Sequence, residues 1–94
     1  MAGYWVVRGK EIRDADALMA YGKLWPPVAK QFGAKLIAGK GKVDTREGET
    51  FMRQLIVCFD SYAQAVACYD SPEYAELKKL AQRAYDRELV ILEG

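Results

Sequence analysis

Phe51-Met52-Arg53-Gln54-Leu55-Ile56-Val57-Cys58-Phe59 is the most strand-like run in the chain. It is rich in β-branched and aromatic residues, which fit a pleated surface. A strand with one wet face alternates apolar and polar residues. This one does not: Leu55, Val57 and Phe59 are apolar, and so are Ile56 and Cys58. Two other runs behave alike. Trp5-Val6-Val7 and Leu89-Val90-Ile91-Leu92 are also apolar on both parities. A sheet built from these strands needs cover on both sides.

Between the strands the period changes. Leu18, Tyr21, Trp25, Val28 or Ala29, and Phe32 recur at threes and fours, the mark of one helix face. Asp14 is placed to accept from backbone N–H groups one turn on, and Gly33 to end the helix in a left-handed conformation. Pro26 and Pro27 deprive the carbonyls of Gly22 and Lys23 of their partners. A kink or break is therefore expected near Lys23 to Trp25, with Pro26 starting a second segment. Freed carbonyls and Trp25 could line a cleft there, or the bend could simply wrap the helix round the core.

Downstream, Lys35 to Ala38 and Lys42 to Arg46 read as strand pieces around a bulge at Gly39 and Gly41. Gly33 to Lys40 is not a phosphate loop: the glycine spacing is wrong and no Ser or Thr follows Lys40. Ser61 caps a short helix, with Gln64 three residues later. Asp70 interrupts it, and a second segment begins at Ser71. Leu77, Leu80, Ala81 and Ala84 are its inward side. The order β-α-β-β-α-β is the split βαβ, or ferredoxin-like, arrangement of an α+β protein: a four-stranded antiparallel sheet with the helices on one face.

Those helices can shelter only one face. The other would carry roughly 500 Å² of contiguous apolar surface, at the limit monomers tolerate. Its burial would contribute about 10 kcal/mol as an upper value, much of it offset by association entropy. Sheet-on-sheet pairing about a two-fold axis is the expected remedy, giving a homodimer. The 94 residues form one domain spanning 1–94, with nothing left over to cover the face.

Composition narrows the function. Net charge is +1 with acids and bases interspersed, so neither nucleic acid nor a membrane surface is an expected partner. No apolar run is long enough to span a bilayer. Cys58 and Cys68 form no CxxC and read as buried reduced thiols of a cytoplasmic protein. Histidine is absent, which removes the commonest general base and metal ligand. No metal or cofactor is expected.

The candidate site residues are few. Ser71-Pro72-Glu73 explains itself as a capped helix start. It could also offer N–H groups to an anion beside Tyr69 and Tyr74, although Glu73 would oppose that anion. Arg8 and Arg53 interrupt strands that this topology sets side by side. Each either reaches water or a surface carboxylate, or aims at an acidic ligand between sheet and helices. Arg83 is expected at the surface. Tyr21 and Trp25 share a helix face; core packing is their ordinary role, and a pocket lining their alternative.

The strand Gly3-Tyr4-Trp5-Val6-Val7-Arg8, the Tyr21…Pro26-Pro27…Phe32-Gly33 pattern, and the run from Glu47-Gly48 through Phe59-Asp60-Ser61-Tyr62 to Tyr69-Asp70-Ser71-Pro72-Glu73-Tyr74 together resemble the domain of unknown function 1330 family. The resemblance covers Gly3 to Gly94. It implies a ferredoxin-like subunit and a homodimer whose sheets enclose a dimeric α/β barrel. It implies no established reaction; its superfamily includes cofactor-free monooxygenases, haem-degrading enzymes, lactone isomerases and plain ligand binders. One departure stands out. The family has a glycine pair where this chain has Gly33-Ala34, so Ala34 would be strained if its position needs a positive φ.

Two functions follow as expectations. One is a dimer that binds a small, partly aromatic or acidic organic molecule near Tyr21, Trp25, Arg53 and Tyr74, extending to cofactor-independent catalysis in which Tyr or Glu73 moves protons while an Arg holds the developing charge. The other is a structural or regulatory interaction module without pocket chemistry. An enclosed pocket lined by Arg and Tyr favours the first.

Overall fold

The computed structural model describes residues 1–94. Seven elements follow in order: β1 (Gly3–Gly9), α1 (Ala15–Phe32), β2 (Lys35–Ala38), β3 (Arg53–Phe59), α2 (Tyr62–Asp70), α3 (Pro72–Ala84) and β4 (Arg87–Glu93). The strands form one antiparallel sheet in the order β2-β3-β1-β4. This is the ferredoxin-like fold, with its second helical region divided into α2 and α3.

The caps explain the helix limits. The Asp14 carboxylate accepts from Ala17 N–H at 3.0 Å and opens α1. Gly33, at φ 70°, closes it. No residue other than glycine has a positive φ, so Ala34 carries no strain of that kind. Ser61 caps α2, and Ser71 both ends α2 and caps α3.

Two expectations are corrected. Pro26 and Pro27 do not split α1, which is helical throughout. Gly22, Lys23, Pro26 and Pro27 are all exposed, so water can reach the carbonyls that lose partners. Lys42 to Arg46 is not a strand either. The chain leaves β2 at Ala38 after a register shift against β3, and is irregular until Arg53. Gly39 permits this departure: at φ 136° it packs against Leu55, where a Cβ would collide.

The register assigns the faces. Trp5 pairs with Val57 and Ile91, and Val7 with Leu55 and Leu89. These side chains share the face covered by helices, where Trp5, Val7, Val57 and Phe59 pack with Val28, Ala65, Cys68, Tyr74 and Leu77. The Trp5 indole N–H donates to Ala65 O at 3.0 Å, joining sheet to α2. The opposite face carries Tyr4, Val6, Ile56, Cys58, Val90 and Leu92. None of these is fully buried, and Val90 and Leu92 are 52% and 51% exposed. No helix is long and apolar enough to cross a membrane.

Candidate functional site

Between α1 and the covered face of the sheet lies a cavity of about 320 Å³. That volume falls within the size range of small-molecule pockets. Trp5, Val7, Leu55 and Val57 form its apolar floor, and Tyr21 and Trp25 on α1 form its roof. Their four-residue spacing puts both rings on one side of the helix. The rings stack with centroids 6.3 Å apart. Trp25 also lies 5.6 Å from Trp5, which links roof to floor.

Two arginines enter this apolar space, Arg53 at the start of β3 and Arg87 at the start of β4. Gly9 of β1 pairs with both, so they flank it on the same face. Tyr85 leans over Gly9, where any Cβ would strike its ring. The Arg53 guanidinium lies 5.3 Å from the Tyr85 ring centroid, a cation–π contact. Its Nε is buried and has no hydrogen-bond partner. No carboxylate pairs with either Arg53 or Arg87. A buried guanidinium nitrogen without an acceptor is unfavourable, and such groups are rare enough to call for an explanation.

Arg87 is better served. Its Nη2 donates to Tyr74 Oη at 2.8 Å, and Tyr74 Oη lies 2.6 Å from Tyr21 Oη. Burial pushes both phenols above their ordinary range, more than the nearby Arg87 charge lowers them. Both are therefore protonated at neutral pH. Burial works against the Arg87 charge, but the two tyrosines outweigh it and the guanidinium is held cationic.

The residues expected at a site are thus divided. Tyr21, Trp25 and Arg53 line the cavity, and Tyr74 stands behind Tyr21. Arg8 does not join them. It is paired with Gln54, one position from Arg53, and therefore points to the opposite face. There it bonds Glu88 at 2.6 Å and lies over Phe51. Ser71 is occupied structurally: its hydroxyl donates to Cys68 O at 2.7 Å and accepts from Tyr74 N–H at 3.1 Å. Tyr69 packs on Trp5 and Tyr74 away from the cavity lining. Glu73 is exposed and accepts from Gln31 at 2.6 Å, so it cannot exchange protons with the cavity. Arg83 is exposed and paired with Asp14, as expected of a surface residue.

Arg87 and Tyr85 are the additions. Arg87 has the same parity as Leu89 and Ile91, which was its signal, but a strand taken to start at Leu89 leaves it outside. No cluster of acidic and sulfur ligands suited to a metal is present.

The family model for the domain of unknown function DUF1330 matches residues 2–94. The chain belongs to this family. A protein of unknown function from Rhodopseudomonas palustris is similar at 23% identity and TM-score 0.78, covering 99% of this chain and 82% of that one. A dimeric protein of unknown function with a ferredoxin-like fold from Bacteroides fragilis has 16% identity and TM-score 0.54, covering 99% and 96%. A protein of the ethyl tert-butyl ether d (EthD) family from Bacillus halodurans has 16% identity and TM-score 0.62, covering 100% and 99%. These likenesses carry the fold. No curated protein matches the chain.

Proposed function

We propose that this DUF1330 member is a homodimeric small-molecule binding domain over residues 1–94, whose ligand is a compact organic carboxylate held between sheet and helices. The observation that carries this reading is Arg53: a cation at the wall of an apolar cavity, with a buried Nε that nothing in the protein accepts from. A carboxylate would supply that acceptor and balance the charge, and a planar guanidinium suits its geometry. The aromatic roof favours a flat apolar body. The cavity also supports this function over an interaction module without a pocket.

Self-association rests on separate ground. Val6, Ile56, Val90 and Leu92 make an apolar strip on the helix-free face, and a second copy offers the matching strip. A cytoplasmic setting fits the free thiols Cys58 and Cys68. Catalysis would be an extension of binding. The lining includes no Asp, Glu, Lys, Cys or His, and burial holds Tyr21 and Tyr74 neutral. A reaction here would draw on charge stabilisation by Arg53 and Arg87, with any base brought by the substrate.

Calorimetric titration with benzoate tests the reading. Wild-type protein binds it, and Arg53→Ala weakens binding roughly tenfold or more. Equal affinity in both proteins, or no binding to wild type, overturns the proposal.

A further inference from the structure

The hydrogen-bond chain behind the cavity has a direction. Arg87 can only donate, so Tyr74 accepts from it at 2.8 Å. Tyr74 is 0% exposed, and its hydroxyl has one other neighbour, Tyr21 Oη at 2.6 Å. The Tyr74 proton must point there; the reverse orientation leaves a buried donor unpaired. Tyr21 therefore accepts from Tyr74, and its own proton has no protein acceptor. Tyr21 lines the cavity, so that proton is available to whatever occupies it. A donor polarised by two hydrogen bonds leading back to a cation is stronger than an isolated phenol.

The rest of the lining agrees. Its side-chain polar groups not already spent elsewhere belong to Arg53, Arg87, Tyr21, Tyr85 and Trp25, the Trp5 N–H being given to Ala65 O. All of these can donate, and no carboxylate, amide or imidazole is among them. Such a wall disfavours a ligand that presents N–H or O–H donors, and favours one that presents only acceptor oxygens.

Building on the carboxylate-binding reading, we infer that the ligand class is an oxo acid: a flat organic anion whose carboxylate meets Arg53 and whose second, carbonyl-type oxygen accepts from Tyr21. In this arrangement Tyr74 is a positioning residue that acts on the ligand through Tyr21, while Arg87 lines the cavity and also anchors the chain behind Tyr21.

Titrating benzoate, 3-acetylbenzoate and 4-acetylbenzoate separates this inference from the reading beneath it. In wild-type protein at least one acetyl compound binds roughly tenfold tighter than benzoate, the gain of one well-placed hydrogen bond. Tyr21→Phe abolishes that preference, so that the acetyl compounds and benzoate bind with affinities within about twofold of one another. Arg87→Gln reduces the preference and Arg87→Lys restores part of it, a pattern that simple loss of packing does not produce. Benzoate binding that depends on Arg53, with no acetyl preference or one that survives Tyr21→Phe, overturns the oxo-acid assignment and leaves the carboxylate site standing. No binding of any of the three overturns both.

Discussion

The two faces of the sheet are made from the same kinds of residue and meet different fates. Val7 on one face is 3% exposed, whereas Val90 on the other is 52% exposed. Strand propensity does not separate them, for both sit well in β structure. What separates them is cover. α1, α2 and α3 all pack on the Trp5 face, and Val90 on the other face is left half exposed. A sequence can thus fix a strand by its apolar content while leaving half of that content without an intramolecular partner. The covered face carries the fold and the cavity, and the bare face keeps Val90 and Leu92 half exposed.

The largest expected effect tests the covered face. Trp5→Ala removes a side chain that is 1% exposed and bonded to Ala65. It should cost about 3–5 kcal/mol in urea-induced unfolding. A loss below about 1 kcal/mol would mean that this face does not hold the fold together.

Alkaline pH probes the same layer more gently. Burial, with the Glu73 carboxylate adding to it, pushes the Cys68 thiol from 9.0 up to about 12. Its folded-state pKa is raised, so the stability it contributes is complete below pH 9 and is lost as pH climbs toward 12. The unfolded chain releases that proton first. Tyr21 and Tyr74 are raised for the same reason and extend the loss above pH 10. Unfolding free energies from urea titrations followed upward in pH should fall, by roughly 2–3 kcal/mol at pH 11 from Cys68 alone. Cys68→Ala should flatten the portion between pH 9 and 10. A flat profile to pH 11 would contradict the burial of these groups.

Most of the fold was legible because its signals are local. Asp14, Gly33, Ser61 and Ser71 mark helix limits through groups they bond within a few residues. The bare face was legible too, since no strand alternates. The site was less so, because pocket membership depends on parity, and strands apolar on both faces conceal it. Arg8 and Arg53 looked like partners until register set them one step apart and on opposite sides. Arg87 was missed because its strand begins two residues earlier than its apolar run. The prolines misled in the opposite way: propensity marks a break, but it does not report that water stands ready at the freed carbonyls.

The central proposal for the bare face is that a second copy covers it. Light scattering at micromolar concentration measures this directly. It should return twice the 10.6 kDa chain mass for wild type, and the single-chain mass for Val90→Asp, which sets a charge into the apolar strip. A stable 10.6 kDa wild-type particle with nothing else bound would contradict the account.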